Sequence, residues 1–352
     1  MNGVSTGFSS GYRSAMAWFQ PAFGTGCGLH VPIVPNQPSD VRSDIYALDY
    51  WMYHHIYHAG LHRNLSSATH VFIPSQMKKK AQLIRLYKDK TFIVNDFGPV
   101  CRFQHLGHHK NVRFLMMSPG DGACRRSEVD IISPHTVVSN DPTFAPRRIY
   151  RIFFYGHLPK PYIRPPISQL RSRIYRDLHD APNSIVGAYD VEENVNALTT
   201  NDTRKLCQSC SYQCKTCYFA TELPVYGNAM RIGATRFRSL MQASVFCIVA
   251  RGDNPGCPKL AESITSGCIP VIVMDQMLPF EKELNYSTFS IIFDPIEVMK
   301  KPAIIRQTLS QISQDKVLHM QRTLKLVSDM FAVRSGGTPF NMQTKLLHDM
   351  CE

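Results

Sequence analysis

Ala250-Arg251-Gly252-Asp253-Asn254-Pro255-Gly256-Cys257-Pro258-Lys259-Leu260-Ala261-Glu262-Ser263-Ile264-Thr265-Ser266-Gly267-Cys268-Ile269-Pro270-Val271 is the stretch that decides the fold of this 352-residue chain. An apolar run, Val245 to Ala250, enters a loop of Gly, Asp, Asn and Pro, and the loop leads into a short helix, Lys259 to Ser266. Pro258 suits the first helical turn and Gly267 the residue just past the last one. A second apolar run, Ile269 to Met274, follows at once. Strand, loop, helix and strand in so short a space make the repeating unit of a parallel sheet, whose ligands bind where loops leave the carboxyl ends of strands. The helix start offers unpaired N–H groups and a positive dipole end, a place for a phosphate. Lys259 opposes that dipole unless an anion is present, and Glu262, one turn on, can accept hydrogen bonds from a ribose diol. An ordinary turn with a solvated Lys and Glu reads the same residues equally well.

Working outward, residues 1–40 are rich in Gly, Ser and Pro and predict a loose N-terminal arm. Between Asp44 and His62 the residues Ile45, Leu48, Trp51, Met52, Ile56, Tyr57 and Leu61 recur at helical spacing. Short apolar runs follow at Thr69–Ile73, Thr91–Val94, Arg113–Met117 and Val129–Ile132, the length and bounding of buried parallel strands. Asn140 to Pro146 reads as a linker. A second series then runs strand Ile149–Tyr155, helix Ile167–His179, strand Ser184–Tyr189 and helix Arg236–Ala243. After the quoted segment come strand Ser290–Phe293 and helices Ala303–Ile312 and Lys316–Phe331. Two series of alternating strands and helices predict an α/β protein of two doubly wound, Rossmann-like domains, at 41–145 and 146–335, with 336–352 a C-terminal tail.

Composition bounds the function. With 44% hydrophobic and 19% charged residues the chain has ample material for a core, which excludes a largely disordered protein. The 39 Lys and Arg against 27 Asp and Glu leave a formal charge of +12, which suggests an anionic partner. Lys78-Lys79-Lys80 is the one dense basic cluster and no nucleic-acid motif accompanies it, so a basic zinc-knuckle nucleic-acid binder is the weaker reading. Asn64, Asn201 and Asn285 open Asn-x-Ser/Thr triplets, about the number chance supplies. No apolar run is long enough to span a bilayer, and the first thirty residues lack a signal-peptide core; the expectation is a soluble chain, or one that begins after an anchor. Eleven cysteines, an odd count, include Cys207, Cys210, Cys214 and Cys217. These four are cramped for a structural zinc, so two local disulfides are expected, with zinc the alternative and reduced thiols expected in a cytosolic chain. Cys247 and Cys268 read as buried strand residues rather than nucleophiles.

The quoted segment and its flanks resemble the exostosin-like glycosyltransferases. Phe246-Cys247, Arg251-Gly252-Asp253, Lys259-Leu260-x-Glu262, Gly267-Cys268-Ile269-Pro270-Val271-Ile272 and Pro279-Phe280 match that family's motifs in order and spacing. Upstream, Ala68 to Pro74 resembles its "A-D-x-F-F-V-P" strand, Asn95-Asp96-Phe97-Gly98 its "H-D-W-G", and Ile152 to Gly156 with Ile163-Arg164 its "F-F-x-G…I-R". The resemblance covers roughly residues 45–335. Lys259 stands where the family has Arg, which keeps the charge but loses the bidentate fork, and Asn95 stands where it has His.

The resemblance implies the GT-B architecture, two Rossmann-like domains facing a cleft, with a nucleotide sugar on the C-terminal domain and the acceptor mainly on the N-terminal one. It implies an inverting transfer from a UDP-sugar to a glycan or polysaccharide acceptor in the Golgi lumen, in a possible complex with another glycosyltransferase and without nucleic acid. The acceptor is acidic on one reading of the surplus charge. No Asp-x-Asp occurs in the chain, so no cofactor or metal is expected and fixed positive charge must stabilise the diphosphate. Gly156, Arg164, Arg251, Gly252, Asp253, Gly256, Lys259 and Glu262 are the candidate donor-binding residues, and Asp96 is the candidate base, with His70, His105 and His157 as runners-up. A catalytically inactive member that partners an active transferase is the alternative.

Overall fold

The computed structural model describes residues 27–32, 48–58, 60–75, 77–96, 109–116, 130–134, 148–157, 170–189, 234–251, 257–332 and 342–351. Two five-stranded sheets, each wholly parallel, organise them. The first contains β1 (Leu29–His30), β2 (His70–Ile73), β3 (Thr91–Asp96), β4 (Val112–Met116) and β5 (Ile131–Ile132), in chain order across the sheet. Alternation along the strands sends side chains to two faces, and both faces are covered. Phe72, Ile93 and Leu115 pack with Leu48, Trp51, Met52 and Ile56 of α1 (Leu48–His58). Val71, Ile73, Phe92 and Val94 pack on the other face with Ile84 of α2 (Lys80–Leu86). Phe72, Phe92 and Ile93 are fully buried, each worth roughly 2 kcal/mol in transfer terms.

The second sheet contains β6 (Tyr150–His157), β7 (Ile185–Tyr189), β8 (Ser244–Ala250), β9 (Ile269–Val273) and β10 (Ile291–Phe293), ordered β10-β9-β8-β6-β7. Ile152, Phe154, Ile248 and Val271 face α3 (Leu170–Leu178) and two later helices, α6 (Pro295–Lys300) and α7 (Ala303–Gln311). On the opposite face Cys247 packs near Met241 of α4 (Ala234–Gln242), and Val249 and Ile272 pack with Leu260 and Ile264 of α5 (Pro258–Thr265). The α/β fold with two doubly wound parallel sheets is therefore as the sequence predicts. Because the chain steps one way from β6 to β7 and the other way to β8, the strand order reverses between β6 and β8, the place where such sheets bind ligands.

Two terminal segments differ from the sequence reading. Residues 27–32, placed in the loose arm, include edge strand β1, with Leu29 fully buried. Leu61–Arg63 pairs along its outer side, the Leu29 N–H donating to Leu61 O at 2.9 Å and the Arg63 N–H to Leu29 O at 2.8 Å. Two strand residues carry no detectable period, so tertiary pairing alone makes them a strand. The supposed tail contains α9 (Met342–Cys351), whose Met342, Leu346, Leu347 and Met350 are fully buried. It packs on α1 and β5 of the first sheet, and Cys351 is disulfide-bonded to Cys27.

The last helices tie the halves together. After α8 (Gln314–Val327), a 3₁₀ turn (Ser328–Phe331) touches both α5 and α9. Phe280, in the left-handed region at φ 55°, packs its ring 5.7 Å from that of Phe331. Lys345 of α9 pairs with Glu283 at 2.9 Å and with Asp349. Cys247 and Cys268 are buried, as expected from the sequence, and are also joined in a disulfide between β8 and the start of β9.

Candidate functional site

The β6/β8 reversal gathers positive charge. Gly156 is the penultimate residue of β6, and a Cβ there would lie 3.2 Å from Lys259 Cε and 3.3 Å from its Nζ. Glycine lets the end of the Lys259 side chain cross the strand end without shifting, where a Cβ would push it by a few tenths of an ångström. Lys259 starts from the first turn of α5, donates to Tyr155 O at 2.5 Å, and holds its ammonium 4.5 Å from the centre of the Phe237 ring. Arg171 of α3 donates to Ala250 O at 3.1 Å, at the end of β8. Arg251, the next residue, is buried and pairs with Asp275 at 3.0 Å, two residues beyond β9. Three cations thus stand at the carboxyl ends of β6 and β8, anchored on two carbonyls and one carboxylate.

Beside them α5 begins with Pro258 at N1 and no acidic residue in its first turn, and Cys257 gives no side-chain cap. Pro258 has no N–H and the Leu260 N–H donates to Cys257 O at 3.1 Å, which among the described residues leaves the Lys259 N–H for another acceptor. Burial lowers the pKa of Lys259, with Arg171 adding to the effect against the pull of Cys257 and Glu262. Burial raises the pKa of Glu262, one turn along α5, against Lys259 and Arg238. A buried ammonium without a full counter-charge is costly, and an arriving anion offsets that cost.

The structure brings Gly156, Arg251, Lys259 and Glu262 to this one strand end. Arg164, Gly252, Asp253 and Gly256 lie outside the described residues, as do His105, Cys207, Cys210, Cys214 and Cys217. Arg171 and Asp275 were missed by the sequence reading. Asp275 is the first charged residue after the apolar β9, a signal that was available; Arg171 sits in a helix with three other Arg-or-Asp positions and gave none.

On the first sheet, Asp96 is the last residue of β3, in register with Met116. His70 is the first residue of β2 and is paired with Thr91. Five residues of parallel strand separate these levels, about 16 Å. His70 is therefore at the amino end of the sheet, away from the ligand-binding edge, and is withdrawn as a candidate base. His157 ends β6, on the site edge. At the carboxyl end of β3 Asn95 is fully buried and donates to Asp49 at 2.6 Å.

Residues 118–308 match the Exostosin GT47 domain family. A probable arabinosyltransferase of Arabidopsis thaliana is 39% identical over 92 residues, 26% of this chain and 20% of that protein. A probable glucuronosyltransferase of Oryza sativa subsp. japonica is 36% identical over 85 residues, 24% of this chain and 19% of that protein. The matched stretches thus span about a fifth of these relatives' length. Among solved structures, a glycosyltransferase from Rickettsia africae overlaps 92% of this chain and 96% of its own, at 10% identity and a TM-score of 0.44. With more than half of its length matched, and with the matched motifs lying on β8, α5 and β9 around the cationic strand ends, the chain belongs to the exostosin GT47 family.

Proposed function

We propose that this protein is an inverting glycosyltransferase that moves a sugar from a UDP-sugar to a glycan or polysaccharide acceptor without a metal. One observation carries the reading: Lys259, Arg171 and Arg251 converge at the strand-order reversal beside the uncapped start of α5. A diphosphate held there offsets the charge of Lys259 and Arg171 beside the Arg251–Asp275 pair and accepts the Lys259 N–H, with the loop of Gly252, Asp253 and Gly256 and with Arg164 supplying further contacts. Glu262 takes the ribose hydroxyls. On the acceptor side Asp96 takes the proton of the attacking hydroxyl as the new C–O bond forms at the anomeric carbon. The bond from that carbon to the β-phosphate oxygen breaks, its electron pair leaves on UDP, and the fixed cations stabilise the charge that develops. Single displacement inverts the anomeric centre.

The two disulfides among the described residues support an oxidising compartment, and with the family membership support the Golgi lumen. No helix among the described residues is long and apolar enough to cross a membrane. A thermal-shift screen of UDP-sugars followed by transfer assays with the best binder tests the proposal. A saturable rise in Tm with one UDP-sugar is expected, and transfer that Asp96→Asn abolishes while nucleotide binding persists. Binding without transfer to any acceptor would move the protein to the inactive-partner reading; no nucleotide response at all would sink the donor site.

A further inference from the structure

Resting on the reading of Asp96 as the base, we infer that Asp49 is a positioning residue for the acceptor side, fixing the carboxyl ends of β2 and β3 from one buried carboxylate. Asp49 lies in the first turn of α1 and is 3% exposed. The Ser75 N–H donates to its Oδ2 at 2.9 Å and the Ser75 hydroxyl donates to the same oxygen. Asn95 Nδ2 donates to its Oδ1 at 2.6 Å. Lys80, the buried first residue of α2, donates to Asn95 O at 3.4 Å and attracts the Asp49 carboxylate. One side chain therefore joins the start of α1, the chain just past β2, the penultimate residue of β3 and, through Lys80, α2.

The arrangement is an expensive way to hold a sheet together. Apolar packing does that elsewhere in β2 and β3, where Phe72, Val94 and Ile93 are fully buried. A carboxylate, an amide and an ammonium in the same interior cost desolvation, and their gain is a fixed geometry. Burial raises the pKa of Asp49 even against the hydrogen bonds from Asn95 and Ser75 and the charge of Lys80. Asn95 Oδ1 is itself buried without a protein partner, so the amide is oriented by Asp49 alone. The polar spend falls at the ligand-binding edge, one residue before Asp96, and ties down the strand end that carries it.

Asp49→Asn takes the negative charge away from buried Lys80 and leaves one oxygen where the donors of Asn95 and Ser75 had two. The exchange Asp49→Asn with Asn95→Asp reverses the pair and restores one donor and one acceptor. Two readouts are taken on the full chain: hydrogen exchange of the peptides covering 91–96 and 70–75, and separate KM values for donor and acceptor. For Asp49→Asn, faster exchange confined to those peptides is expected, with the acceptor KM raised about tenfold and the donor KM within about twofold. The exchanged pair should recover both. Unchanged exchange in Asp49→Asn overturns the inference, and so does an exchanged pair that regains wild-type Tm but not the acceptor KM. Where Asp49→Asn fails to fold, Ser75→Ala removes one donor from the same oxygen and is read the same way. Asp96→Asn is run beside them: retained turnover there removes the base assignment, while the hydrogen-exchange readout still decides the role of Asp49.

Discussion

Lys259 shows how a single side chain can serve the site and burden the fold. Its charged form is disfavoured by burial, so its pKa lies below the unfolded value, and the penalty shrinks as pH rises through the folded pKa toward the unfolded one. Lys259→Met keeps an apolar stem and removes the ammonium. The variant should match or exceed wild-type Tm at neutral pH, with the gap closing in alkaline solution, while affinity for UDP falls by about 1.5–3 kcal/mol, the worth of a charged hydrogen bond. Differential scanning calorimetry across pH and titration calorimetry with UDP check the two halves. Gly156→Ala should displace Lys259 rather than the backbone, since the nearest atoms are the end of a flexible chain. A cost of about 1 kcal/mol is expected in wild type and close to none in the Lys259→Met background, a coupling that a double-mutant cycle measures. Much of this residue-level picture was legible: Lys259, Glu262, Arg251 and Gly156 all carry a charge or a motif position visible in the sequence. Arg171 was not, because its role depends on α3 packing beside β8, a contact between segments about 80 residues apart.

At the scale of elements, the strands of the second sheet were the most readable part, since β8 and β9 are continuous apolar runs with turn residues on both sides. Four elements escaped, β1, α2, α6 and α9, and two of them show different reasons. In α9 the apolar residues recur at helical spacing, but Gly336, Gly337 and Pro339 precede it and the segment was read as a tail. In α2 the residues Lys80 and Ile84 are the buried ones, and a buried lysine inverts the pattern that periodicity relies on. The Cys247–Cys268 disulfide also escaped, because sequence places the two cysteines on separate strands and only the β8–β9 register brings them together. It closes a loop with a sequence separation of 21, for which chain-entropy reasoning gives about 3 kcal/mol. Replacing both cysteines with Ala should lower the urea midpoint and raise m slightly, since the denatured chain without the cross-link exposes more surface.

Over the whole molecule the sequence conveyed two sheets but not how they are joined. One buried cluster contains Leu29, Trp51 and Leu115 from the first half together with Val249, Leu260 and Ile272 from the second, and α9 completes it. Such a core makes the halves unfold together, so a saturating UDP-sugar at 100 times its Kd should stabilise the entire chain by about 2.7 kcal/mol rather than the second sheet alone. Calorimetry showing one transition that shifts as a unit would bear this out; a first-sheet transition unmoved by nucleotide would refute it. The surplus of +12 is only partly used by three cations at the strand ends. The bond between Cys27 and Cys351, 324 residues apart, closes nearly the whole polypeptide into a covalent ring. A ring survives one cut. A protease site placed in the exposed turn at Pro182–Asn183 should yield a nicked protein that runs as a single species without reductant and as two fragments with it. The same closure means that new chain ends could be opened at that turn without either sheet losing its covalent tether to the other.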